Sequence, residues 1–265
     1  MIKKEDIENF IKKIPPAPKI VKQTIDLLNA GELKKAAEVA KEDLALSAYL
    51  RELINKPIFG FNNEVKDINQ IFSILGVAKS LQVVYNYLLN LLSPDKWSFF
   101  KLNKKTFNNL QADLSASWSK ILAHLKIIDK ETEASITLLP ASIIVCEAIF
   151  ATHKNDVEII RSAKDLDLNT ILLRLSGYNL FEICEMIATK WEMNPKIKTI
   201  LKLSSGNETT NDKELETLGK WMHLLLFYQL SQPIYIEAGL NDFIDFNVDF
   251  VCDIYEEFMQ LMEIE

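Results

Sequence analysis

Apolar residues recur at helical spacing along almost the whole chain, and the pattern breaks at prolines, glycines and short polar clusters. The first break lies in IPPAPKIVKQTIDLL, residues 14–28. Pro15, Pro16 and Pro18 fix φ and lack an N–H, so they end a helix coming from Asp6 and prepare the next one. Pro18 falls where the first turn of that next helix begins, and beyond it Ile20, Val21, Thr24, Ile25 and Leu28 share one face. The stretch predicts a rigid elbow docked in the N-terminal part of the molecule.

Two short helices are expected next, one with Leu33, Ala36, Ala37, Ala40 and Leu44 on its stripe, the other with Leu46, Leu50, Leu53 and Ile54. KPIFGFNNEV, residues 56–65, reads as a shaped loop, because Pro57, Gly60 and the paired Asn interrupt the helical period. Asp67 is a predicted N-cap with Gln70 as its capping-box partner. Ile68, Ile71, Phe72 and Leu75 then point inward, Gly76 interrupts, and Leu81, Val84, Tyr85, Leu88 and Leu92 lead to the SPDK turn at 93–96. That turn is the predicted boundary between a helical half over 1–95 and a second over 96–265.

The second half opens with a long helix in which Phe107, Leu110, Leu114, Trp118, Ile121 and Leu125 share a face. An apolar run follows over 134–151 with Pro140 inside it, and further helices are read at 157–175, 179–191, 195–204, 213–230 and 247–262. Alternating β-branched runs bounded by turns are absent, so the expected class is all-α, two packed helical halves.

At 265 residues the chain can bury roughly 70–75% of its unfolded surface and hold a core without staples. Cys146, Cys184 and Cys252 are far apart in apolar periodic segments, the usage of reduced thiols, which together with the polar start MIKKEDIENFIKK points to the cytoplasm. No stretch offers about 18 consecutive apolar residues, so no membrane association is expected. With seven glycines and neither GxGxxG nor GxxxxGK[ST], dinucleotide and P-loop sites are disfavoured.

The net charge of −7 is uneven: residues 221–265 hold nine acids and no Lys or Arg, leaving +2 for the rest. This distribution argues against a nucleic-acid binder. Val248, Val251, Tyr255, Phe258 and Met262 form a helical stripe through the acidic end, so it is expected to be one packed helix with an acidic outer face. His124, His153 and His223 lack ligand partners at metal spacing, and Asp165 with Asp167 in the DLDLN turn reads as a helix cap rather than an acid/base pair.

Read together, IPPAPKIVKQTIDLL, KEDLALSAYLRELINKPIFGFNNEV and INQIFSILGVAKSLQVV resemble in order and spacing the N-terminal half of the HD-related output domain of bacterial signalling proteins. The matching positions are Pro15, Pro16 and Pro18; Lys41, Asp43 and Leu44; Asn55, Phe59 and Gly60; and Ile68, Ile71, Phe72, Leu75 and Gly76. The resemblance covers about residues 10–205, most specifically up to about 85. It implies that the second half is a degenerate form of the HD phosphohydrolase bundle. In such hydrolases His and Asp ligands converge on metal ions that activate water and take up phosphate charge. The metal-binding His-Asp doublet of that family follows a Leu-Leu pair, and here Leu138 and Leu139 are followed by Pro140 and Ala141. Its His-His pair corresponds to Ser204 and Ser205, and its last Asp falls near HLLLF, residues 223–227, which holds no acid.

The expectation is therefore a non-catalytic signalling adaptor, with no metal and no cofactor, that acts in trans by binding another protein. Two alternatives stay open: a regulatory nucleotide or small-molecule binder, and a metal-dependent phosphohydrolase with displaced ligands. Two candidate partner-binding surfaces are read from the sequence. One is the pair Phe59 and Phe61 around Gly60; the other is the acidic helix with Asp249, Asp253, Glu256 and Glu257.

Overall fold

The computed structural model describes residues 1–55, 63–164, 166–240, 243 and 246–263, and among these every regular element is helical, with no strand. The prolines separate α1 (Lys4–Lys13) from α2 (Lys19–Asn29), with Pro18 as the N-cap, one place ahead of the expected first turn. The docking of the elbow differs from expectation. The carbonyl of Pro15 accepts the indole N–H of Trp191 at 3.2 Å, and that of Lys12 accepts Lys190 Nζ at 3.2 Å. The elbow is thus tied to the second half of the chain.

α3 (Leu33–Ala40) buries Ala36, Ala37 and Ala40, whose small side chains let it lie close to α2. α4 (Leu44–Ile54) starts behind Asp43, which accepts the N–H groups of Ala45 and Leu46 at 2.9 Å. The cap resets the helical phase, so Leu44 leaves the α3 stripe and is 84% exposed. Asn55 ends α4 and clamps the base of the following loop: its Nδ2 donates to Arg51 O at 2.8 Å and Val65 O at 3.0 Å, while its Oδ1 accepts Val65 N–H at 2.8 Å. Phe59, Gly60 and Phe61 lie outside the described residues.

α5 (Ile68–Leu92) is capped by Asp67 and broken at Gly76, where φ is 70° and ψ is 177°. A left-handed residue inside a helix is what only glycine adopts without strain, and it gives α5 two directions. The second stretch of α5 joins the halves. Lys79 donates to Ser119 Oγ at 2.9 Å and pairs with Glu133 at 2.8 Å, and Gln82 Nε2 donates to Glu133 O at 2.7 Å.

α6 (Lys104–Leu125), α7 (Lys130–Ser135), a 3-10 turn at Ile136–Leu138 and α8 (Leu139–Thr152) open the second half. Pro140 does not break a helix interior. It lies in the first turn of α8, where its missing N–H costs nothing. α8 is buried nearly all round, and α1, through Ile7 and Ile11, packs on it. Ile68–Leu92 and Lys130–Thr152 are long and apolar enough to span a membrane, yet 56% and 89% of their apolar windows are buried, so core packing accounts for their hydropathy.

The run read as one helix over 157–175 is two, α9 (Lys154–Lys164) and α10 (Leu168–Ser176), because Asp167 caps a new start by accepting Thr170 N–H at 2.8 Å. α11 (Leu180–Lys190), α12 (Pro195–Leu203) and α13 (Lys213–Leu230) complete the bundle. α14 (Pro233–Glu237), not anticipated, is anchored by buried Tyr235, whose O–H donates to Asp113 at 2.5 Å. The acidic end is not one helix but two, α15 (Val248–Val251) and α16 (Tyr255–Glu263). The turn at 252–254 sets Asp253 against Lys220, and it leaves Val248 and Tyr255 62% and 41% exposed while Val251, Phe258 and Met262 stay in the core.

Candidate functional site

The 3-10 turn, α8, α12 and α13 carry the positions at which the resemblance places metal ligands. Leu138, Leu139 and Ala141 are fully buried, and Pro140 is buried beside them. The donors nearby are spent locally: Ser142 Oγ donates to Leu139 O at 2.7 Å, and Cys184 Sγ donates to the same carbonyl at 3.5 Å. Burial pushes the Cys184 thiol up to about 12 and the Cys146 thiol well above its ordinary value, so neither offers a thiolate.

At the other end, Ser204 Oγ donates to Ile200 O at 2.8 Å and Ser205 Oγ to Lys202 O at 2.7 Å, each turned back onto the end of its own helix. α13 brings His223 to this point. Its Nδ1 lies 2.7 Å from Ser204 O, and its Nε2 lies 3.0 Å from Asn247 N. A carbonyl only accepts and an amide N–H only donates, so the ring is neutral with its proton on Nδ1. Burial lowers the His223 pKa to about 4, the Ser204 bond opposing in part. The ring stacks on Phe181 at 5.1 Å and meets Phe227 at 4.9 Å and Phe250 edge-on at 5.4 Å.

Positions 204 and 223 therefore do converge, as a ligand set must, but what converges there is a carbonyl, an imidazole with both nitrogens engaged, and aromatic rings. This donor set does not fit a divalent metal. His124 Nε2 lies 2.6 Å from Glu257 Oε1 on the surface, and His153 lies 3.4 Å from Asp6 and 4.0 Å from Asp156. Among the described residues no group of three or more His, Cys, Asp and Glu is arranged to hold a metal ion.

The predicted acidic surface is exposed, but its four carboxylates do two different jobs. Asp253 pairs with Lys220 at 2.7 Å and Glu257 with His124, so these two staple the C-terminal segment to α13 and α6. Burial would lower the Lys220 pKa, yet Asp253 and Glu216 raise it overall. Asp249 and Glu256 are exposed and, among the described residues, make no ion pair. In the same segment Tyr255, exposed, stacks on half-buried Phe246 at 6.0 Å and 14°, and Val248 is open to solvent. Trp221 and Tyr228 hold Phe258 from below, so the display stands on a fixed base.

Two features of this region escaped the sequence. The bond between Asn247 and His223 is made by backbone and has no residue signature. Glu147 on α8 is 3% exposed and accepts the N–H groups of Ser98, Phe99 and Phe100, the latter two at 2.9 Å. A lone carboxylate inside IIVCEAIF was the available signal, since a buried charge must find donors.

A family model for the HDOD domain matches residues 14–205. Three solved structures share the fold over 97% of this chain. An HDOD domain protein of unknown function from Geobacter sulfurreducens matches with a TM-score of 0.64 at 14% identity over 95% of its own chain. A candidate phosphohydrolase from Shewanella amazonensis matches with a TM-score of 0.64 at 16% identity over 96% of its chain. A candidate signal transduction protein from Marinobacter aquaeolei matches with a TM-score of 0.59 at 14% identity over 62% of its chain. At these identities the likeness is one of fold. Among curated proteins nothing matches.

Proposed function

Since the chain belongs to the HDOD domain family, we propose that it is a non-catalytic signalling output domain that acts in trans in the cytoplasm by docking on another protein. The observation that carries the docking surface is exposed Tyr255 stacked on half-buried Phe246, in the same C-terminal segment as Asp249 and Glu256, which have no ion-pair partner among the described residues. A rigid aromatic pair offers contact area at small entropic cost, and unpaired acids steer a partner of opposite charge. The partner is therefore a protein with a basic patch next to an apolar pocket. Phe59 and Phe61, the other sequence candidates, lie outside the described residues.

The non-catalytic part of the reading is supported by chemistry. Pro140, Ala141, Ser204 and Ser205 are buried, and the hydroxyls among them are already bonded to backbone. A phosphohydrolase needs several lone pairs pointed at one place, and here they point elsewhere.

The test compares wild type with Tyr255→Ala and with the double variant Asp249→Asn, Glu256→Gln as baits in the source cytoplasm. A partner retained by wild type, lost with Tyr255→Ala and retained more weakly with the double variant or at raised salt is the expected result. Identical captures by all three baits would sink the assignment of this face. In parallel, metal-dependent turnover of phosphate esters that disappears on chelation would overturn the non-catalytic reading.

A further inference from the structure

A cavity of about 320 Å³ opens between the 99–101 segment, α9 and the turn at 238–239, with neither His223 nor the four acids of the predicted acidic face among its lining residues. Its volume is at the lower end of small-molecule sites, about 300–1,000 Å³. Half-buried Phe99 forms its apolar wall over a buried floor of Val157 and Leu168, while Lys101, Lys154 and Arg161 reach it against one carboxylate among the described residues, that of Glu158.

The cations are not equally committed. Lys101 is exposed and, among the described residues, its ammonium makes no ion pair. Lys154 makes only a 3.8 Å contact with Glu158, between groups both more than half exposed. Arg161 already has an interaction of its own, so a ligand would share it. In a chain of net charge −7, such a concentration of positive charge around one concavity is a local reversal of sign.

The wall of the cavity is built and held. Lys101 N–H donates to Ala238 O at 2.9 Å, Glu147 grips the three amides before it, and Phe99 packs on Phe150 at 5.2 Å. A site whose backbone is fixed in this way loses little entropy on binding. Inorganic anions alone would leave the Phe99 ring unused, and a neutral apolar molecule would leave the cations unused.

We infer that this cavity binds a small phosphorylated organic molecule, its phosphate held by Lys101 and Lys154 and its apolar or aromatic body laid against Phe99. Binding here, on the opposite chemistry from the acidic face, makes the domain responsive to a metabolite as well as to a protein.

The experiment titrates the full chain at low salt with phenyl phosphate, adenosine 5′-monophosphate, adenosine and inorganic phosphate, followed by calorimetry. Both phosphate esters are expected to bind, with affinity falling as salt rises. Lys101→Ala and Lys154→Ala, both exposed and without a role in the core, are each expected to weaken binding about two- to fivefold with the circular dichroism unchanged. The inference is overturned if neither ester gives saturable binding, if both lysine variants bind the esters as wild type does, or if adenosine or inorganic phosphate binds as tightly as the esters.

Discussion

Replacing Glu147 tests how the segment from Ser98 to Phe100 is held. Its Oε1 accepts Ser98 N–H, Ser98 O–H at 3.1 Å and Phe99 N–H at 2.9 Å, and its Oε2 accepts Phe100 N–H at 2.9 Å. In Glu147→Ala the buried Phe100 N–H loses its acceptor, a cost of about 1–3 kcal/mol. Half-buried Phe99 loses about 1 kcal/mol, and exposed Ser98 recovers its bonds from water. The space left by the side chain adds about 1 kcal/mol, because Phe99, Phe100 and Phe150 around it relax only in part. Roughly 3–5 kcal/mol is therefore expected, which in a chain of this size lowers Tm by on the order of 10 °C. Glu147→Gln keeps the shape, but its amide N–H₂ must face a backbone donor, so about 2 kcal/mol is expected. Urea denaturation should show a lower midpoint with an unchanged slope in both variants, in the order Ala below Gln below wild type. Stabilities of both variants within about 0.5 kcal/mol of wild type would mean that the carboxylate does not hold those amides.

Stability is expected to fall on acidification through His223. Its pKa is about 4 in the fold against an ordinary 6.5, so between these values the unfolded chain binds the extra proton and stability decreases as pH drops, by about 3 kcal/mol in all. His223→Gln should remove that slope between pH 6.5 and 4, and an unchanged slope would assign it to other groups. Gly76→Ala should cost about 1 kcal/mol or more through backbone strain alone, since φ is 70° and a Cβ there would meet nothing within 4 Å. A variant as stable as wild type would show that the kink straightens freely. Trp191→Phe should lose about 1 kcal/mol with the bond to Pro15 O, detected as a lower urea midpoint, and no change would mean that the elbow is held by packing alone.

What the sequence disclosed depended on whether a feature was local. The elbow, the Asp67 cap, the break at Gly76 and the start of α12 at Pro195 are each decided within a few residues, and each was legible. Partners across the fold were not. The stripe on α1 marks Ile7 and Ile11 as inward but cannot say that the facing helices are α8, α10 and α11, which is why the elbow docks on Trp191 rather than in the N-terminal half. The break between α15 and α16 contains neither Pro nor Gly; the long-range pair of Asp253 with Lys220 that accompanies it has no short-range signature. Of the four acids chosen as a binding face, patterning could mark all as exposed, yet only the fold separates Asp253 and Glu257, which act as staples, from Asp249 and Glu256.

The acidic face and the region around Ser204 and His223 are parts of one arrangement. Ser204 occupies a position that the family resemblance gives to a ligand, and His223 lies in the segment near which it places the last one; the bond between them continues to Asn247, the residue that opens α15. Gly206, with φ at 75°, keeps the nearby surface low: a Cβ there would stand 3.1 Å from the ring of Phe250 and 3.2 Å from Asn247. Phe250 in turn meets the His223 ring edge-on. A working metal centre needs this mouth open to water and substrate, whereas here backbone and aromatic rings from the C-terminal segment fill it. The same contacts give the segment with Asp249, Tyr255 and Glu256 a rigid seat, so the donors spent around His223 and the surface proposed for docking depend on the same few groups.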